Sequence, residues 1–169
     1  MHLAYIKNPE RGATDRTLTA LAARLQEMGI ITAGIVQINV EICDSELCDM
    51  DVRVLPGGET IRISQSLGPN STGCRLNPEA LEKAVGLVLD SMQQEPKPQV
   101  LLVNKFGKHE ADGRGMRVVI AEALEQGLPV VLGVNGANVD AFQAFTGGLG
   151  EAASCDVEEL ASWVKSHLE

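Results

Sequence analysis

Apolar residues fall at two spacings along this chain, and the two alternate. Leu3–Ile6 is a short apolar run that predicts a strand, and Asn8-Pro9-Glu10-Arg11-Gly12 predicts a turn after it. From about Thr14 the period lengthens. Leu18, Leu21, Ala22, Leu25 and Met28 recur as one face of a helix, which Gly29 stops. Ala33–Val40 returns to a strand pattern. Asp51–Leu55 and Thr60–Ser64 alternate apolar and polar around Pro56-Gly57-Gly58-Glu59, which predicts a hairpin with Val52, Val54, Ile61 and Ile63 inward and Arg53 and Arg62 outward.

The second half repeats the scheme. Asn77-Pro78 opens a helix, with asparagine as cap and proline in the first turn, where its missing N–H costs nothing. Its buried stripe is Leu81, Ala84, Val85, Val88, Leu89 and Met92. After Pro96-Lys97-Pro98, residues 99–103 predict a fully buried strand. A helix starting near Asp112 carries Met116, Val119, Ile120, Ala123 and Leu124 inward, and Gly127 and Pro129 end it. Pro129–Val134 is another buried strand. Asp156 and Glu159 form a capping pair for a last helix that contains Trp163. Strands apolar on both faces, alternating with helices, predict a single three-layer α/β/α domain over residues 1–169. Its sheet is mostly parallel, with an antiparallel hairpin at about 51–64.

The length of 169 residues suits one core. With aromatics at only 3%, that core has to be built from aliphatic side chains and methionine. The formal charge of −9 argues against nucleic acid and anionic membranes as partners, since both require a cationic surface. No apolar run is long enough to span a bilayer and no secretory leader is recognisable, so the expected location is cytoplasmic. A homo-oligomer is compatible with all of this.

The charge is unevenly spread. Between 105 and 117, Lys105, Lys108, Arg114 and Arg117 face only Glu110 and Asp112. This basic, glycine-rich segment lies between a buried strand and a helix, where open α/β sheets place their ligands. A small anion is the expected partner. Asn104, Lys105, Gly107, Lys108, Gly113, Arg114 and Gly115 are the candidate contacts, joined by Asn8 at another strand end and by Arg75 in the glycine-containing loop 65–76. Were Asp112 the helix cap, Arg114 would oppose the helix dipole and two glycines would weaken the same turn; a local rule broken so often points to function. Glu110 and His109 are the acid–base candidates. No nucleophile elbow and no His-Glu-x-x-His motif occurs.

Cys43, Cys48 and Cys74 leave three readings open: a thiolate metal site, a reversible disulfide between the first two, or free thiols. The Cys-x4-Cys spacing is not that of a common zinc motif, which favours free thiols.

Two segments carry a resemblance. Gly73-Cys74-Arg75-Leu76-Asn77-Pro78 and Val103-Asn104-Lys105-Phe106-Gly107-Lys108-His109-Glu110-Ala111-Asp112-Gly113-Arg114-Gly115 resemble an uncharacterised bacterial family whose members are often encoded near molybdate ABC-transporter genes. The likeness covers about the first 150 residues. More distantly, the layout is similar to thermophile-type P-loop nucleoside-triphosphatases, with Asn104-Lys105-Phe106-Gly107 and Glu110 at the acidic turn of that fold. The resemblance implies a P-loop-like domain. The first strand–helix turn, Lys7 to Asp15, lacks the Gly-Lys-Ser/Thr that holds phosphate and Mg²⁺, and Asn104 stands where the acidic residue belongs. The expected function is therefore non-hydrolytic binding of an oxyanion or phosphorylated ligand, with a link to molybdate implied by the resemblance. The alternatives are an atypical nucleotide hydrolase or transferase, with Glu110 as base and a Mg-nucleotide cofactor, and a cysteine-based metal or redox sensor.

The cysteine spacing generates a prediction. Protein purified under reducing conditions without chelator should carry no stoichiometric metal. Elemental analysis giving about one metal per chain, lost on Cys43→Ser or Cys74→Ser, would restore the sensor.

Overall fold

In the computed structural model, which describes residues 1–10, 12–38, 50–65 and 76–168, seven strands form one sheet. In chain order they are β1 (Leu3–Ile6), β2 (Thr32–Gln37), β3 (Asp51–Leu55), β4 (Thr60–Arg62), β5 (Val100–Phe106), β6 (Val130–Val134) and β7 (Glu151–Ala152). Across the sheet the order is β4-β3-β2-β5-β6-β1-β7. From β2 to β7 every pairing is parallel; β3 and β4 add the antiparallel hairpin. The helices are α1 (Ala13–Glu27), α2 (Pro78–Gln93), α3 (Lys108–Ala111), α4 (Arg117–Glu125), α5 (Val139–Thr146) and α6 (Val157–Ser166).

The strands bury both faces, which is why their sequences are almost uninterruptedly apolar. On one face Ala33, Ile35, Leu101, Val103, Val130 and Leu132 pack with Leu81, Val85, Val88 and Met92 of α2, Val119, Ile120 and Ala123 of α4, and Phe142 of α5. On the other, Ile6, Val36, Val100, Leu102 and Val131 pack with Leu18, Leu21 and Leu25 of α1 and with Leu160 and Val164 of α6. The result is the expected three-layer α/β/α arrangement. Asn77 caps α2 with its side-chain oxygen on the Glu79 and Ala80 N–H groups (3.1 and 3.4 Å), which is worth about 1 kcal/mol. Asp156 caps α6 in the same way, on the Glu159 N–H.

Three boundaries differ from the sequence pattern. β2 is Thr32–Gln37, and Ile38 beyond it is exposed; the remainder of the expected strand lies outside the described residues. β4 ends at Arg62, because Ser64 pairs with Leu76 instead of continuing the hairpin. β5 runs through Asn104 and Lys105 to Phe106, so the first residues of the expected loop are strand.

Because β5 is central and buried on both faces, Leu102→Ala should cost about 2–5 kcal/mol in urea denaturation. Leu149→Ala, at a side chain 54% exposed, should stay within about 0.5 kcal/mol of the parent.

Candidate functional site

Parallel strands deliver their C-terminal ends to one edge of the sheet, and the turn after β1 is built there. Asn8 folds it by accepting the Glu10 N–H on its side-chain oxygen (2.9 Å). The Glu10 carbonyl then accepts the N–H of Ala13 (3.2 Å). Gly12, at φ 77°, takes the left-handed conformation that turns the chain into α1, and among the described residues no side chain caps that helix. Gly133 on β6 lets the helix start settle onto the sheet: a Cβ there would lie 2.4 Å from the Thr14 methyl and 2.5 Å from the Asn104 carbonyl oxygen.

Asn104 is 5% exposed. Its side-chain oxygen accepts the Gln37 N–H (3.0 Å), and its amide donates to Asp15 (2.9 Å). One side chain therefore joins β5, β2 and α1. Burial raises the Asp15 pKa above its ordinary 3.8, opposed by the Asn104 hydrogen bond and by the charges of Lys105 and Arg16. Lys105 is exposed, and its stem lies against Gly107.

Beyond β5, the segment rearranges the expected site. Asp112 is not the N-cap of the following helix but the C-cap of a preceding one. Lys108–Ala111 form one short helix, Asp112–Gly115 turn, and α4 begins only at Arg117. Arg114 is therefore outside the first turn of α4. Its N–H donates to the His109 carbonyl (3.0 Å), and it stands two residues before Met116, which caps α4.

Glu110 explains the turn. It is 4% exposed, with one carboxylate oxygen accepting the Gly107 N–H (3.1 Å) and the other the Met116 N–H (3.2 Å). Gly115, at φ 64°, leaves it space, since a Cβ would stand 2.6 Å from that carboxylate. Glu82 of α2 accepts the Gly115 N–H (3.1 Å). The amides expected to meet an external anion are thus held by two of the protein's own carboxylates. Glu110, with both oxygens engaged, is built as a brace between helices rather than as a free base.

The sequence candidates consequently separate. Asn8, Asn104 and Lys105 gather around the start of α1, and Gly107 lies beneath the Lys105 stem. Gly113, Arg114 and Gly115 face away toward α2, lining a cleft of about 540 Å³ with Pro78, Glu79, Glu82, His109 and Val118. Lys108 is exposed. Arg75, Cys43, Cys48 and Cys74 lie outside the described residues.

Gly12, Thr14 and Asp15 were absent from the sequence candidates, although a signal exists. Lys7 to Thr14 has the eight-residue length of the phosphate-binding pattern Gly-x4-Gly-Lys-Ser/Thr, and Gly12 and Thr14 occupy its second glycine and its hydroxyl. Lys7 replaces the first glycine. Ala13, 8% exposed, replaces the lysine.

A family profile described as "Protein of unknown function (DUF2478)" matches residues 3–163. A relative from Bradyrhizobium diazoefficiens, "Molybdenum import ATP-binding protein ModC 2", is 32% identical over 151 residues, which is 88% of this chain. The chain spans only 16% of that relative's length. Among solved structures, that of a human cancer-related nucleoside triphosphatase is similar with a TM-score of 0.67 at 16% identity, covering 99% of both chains. THEP1 from Aquifex aeolicus gives 0.62 at 13% identity, covering 99% of this chain and 97% of its own. The fold is thus that of P-loop nucleoside-triphosphatases.

Two measurements follow from this geometry. Glu110→Ala leaves two backbone N–H groups without an acceptor and should cost about 2–5 kcal/mol in urea denaturation, with Glu110→Gln milder. For Asp15, a raised folded-state pKa means that ionisation penalises the folded state. Below about pH 3.8 the carboxyl is protonated in both states and the penalty is absent. As pH rises from there through the folded-state value, the parent should lose stability relative to Asp15→Asn and then level off. Paired unfolding curves across this range check the sign.

Proposed function

The chain belongs to the DUF2478 family, and on that footing we propose that it binds a small oxyanion or phosphorylated ligand at the start of α1 without hydrolysing it. The observation carrying this reading is the turn Lys7–Thr14. It keeps the length, the left-handed Gly12 and the Thr14 hydroxyl of a phosphate loop, and it opens into a helix that no described side chain caps. Such a helix start attracts anions through its free N–H groups and its dipole. Lys105, whose charge acts on Asp15 in the first turn of α1, supplies a cation.

Two positions differ from the phosphate-loop hydrolase pattern, which supports the non-hydrolytic reading. The lysine that follows the phosphate-loop glycine is Ala13, and the strand-end acid is an asparagine already committed to Gln37 and Asp15. Nucleotide turnover, the alternative, would need Lys105 or Lys108 to replace the absent charge. The name of the Bradyrhizobium relative makes molybdate and tungstate the first oxyanions to test.

The test is titration calorimetry with molybdate, tungstate, sulfate, phosphate, ADP and ATP, together with a Mg²⁺-dependent ATPase and GTPase assay. Binding of at least one anion is expected, weakened about tenfold or more by Lys105→Ala through loss of a charge-assisted contact. Turnover is expected at background. Clear ATP or GTP turnover would overturn the non-hydrolytic reading, and the absence of any binding would overturn the site.

A further inference from the structure

The cleft between α2 and the α3–α4 turn has a chemistry that an anion site does not explain. Two carboxylates, Glu79 and Glu82, face it, and Arg114 is the one cation in its lining. Its volume of about 540 Å³ lies in the range of small-molecule sites, and Pro78 and Val118 provide apolar wall. His109 is the telling residue. Its side chain is only 10% exposed, it lines the cleft, and its ring makes no hydrogen bond to any described residue. Among the described residues its ion-pair neighbour is Glu82, with Nε2 3.9 Å from Oε1. That is beyond hydrogen-bond range. The His109 ring nitrogens keep some solvent access, so a molecule in the cleft can reach them.

The 3.9 Å gap has the size of an inserted donor. A nitrogen placed about 2.9 Å from both atoms would see them roughly 85° apart, within the bend that hydrogen bonds from a tetrahedral ammonium tolerate. Neutral imidazole with its proton on Nδ1 presents Nε2 as an acceptor, and a carboxylate accepts at either oxygen. Glu82 is held for this task by the Gly115 N–H. A metal ion fits less well: among the described residues no group of three His, Cys, Asp or Glu side chains is arranged to hold one. Arg114 would repel a simple polyamine but would welcome an acidic group on the same molecule.

We propose that this cleft is a second binding site, for a small zwitterionic primary amine of the amino-acid kind, with its ammonium between His109 and Glu82 and its acidic group on Arg114. The site is separate from the Lys7–Thr14 turn and stands independently of the anion reading.

The test is a thermal-shift screen of the intact chain against the standard L-amino acids, followed by calorimetry on each that stabilises it, on the N-acetyl derivative of the same compound, and on variants. At least one amino acid should bind, its N-acetyl derivative should not, and Glu82→Gln and Arg114→Ala should each weaken binding about tenfold or more. Should Glu82→Gln lower the ligand-free melting temperature, Arg114→Ala and the N-acetyl comparison carry the test. No binding by any amino acid would overturn the proposal. Equal binding of the N-acetyl derivative, or affinity unmoved by the substitutions, would do so as well.

Discussion

Parallel pairing of β2, β5, β6 and β1 is the constraint from which the rest of the molecule follows. Parallel neighbours cannot be joined by a tight turn, so each connection has to climb back over a face of the sheet, and the helices that do so cover both faces. Every strand of that set then releases the chain at the same edge. The start of α1, the end of β5 and the turn before α4 are brought together there although residues 15 and 104 are 89 positions apart. A ligand site at this edge needs no special device; the topology supplies helix starts, strand ends and a crevice between them.

What distinguishes this chain is how much of that edge it fills with its own side chains. Glu110 and Glu82 occupy amides that an external anion would otherwise take, and Asn104 uses both ends of its amide on Gln37 and Asp15. Carboxylates brace the turn before α4, and one of them, Glu82, also lines the cleft on its α2 side. The start of α1 has no side-chain cap, a condition it shares with α4 and α5 among the described residues. The polar chemistry is thus divided between two places, the turn after β1 and the cleft beside α2.

The layers were readable because burial on both faces leaves little choice of residue: Val100–Val103 and Val130–Val134 declare themselves as strands, and Leu81 to Met92 as a helix stripe. The features that failed to show in the sequence depend on distant partners. Asn104 and Lys105 look like loop, yet Asn104 is tolerated inside a strand because Gln37 and Asp15 satisfy it. The helix start near Asp112 was misplaced because the periodic pattern from Met116 can be extended backward through glycines whose positive φ only the fold reveals. β7 offers two exposed residues and no pattern at all. The turn Lys7–Thr14 was legible in principle: its length and two of its residues survive, but the missing lysine hid the register.

The half-buried carboxyl of Asp15 has a consequence for anything negative that settles beside it. Burial already favours its neutral form, and a second negative charge nearby would push in the same direction. By linkage, an anion held at the start of α1 would then take up a fraction of a proton from solution as it binds. Such an uptake would be visible as a pH drift in weakly buffered solution.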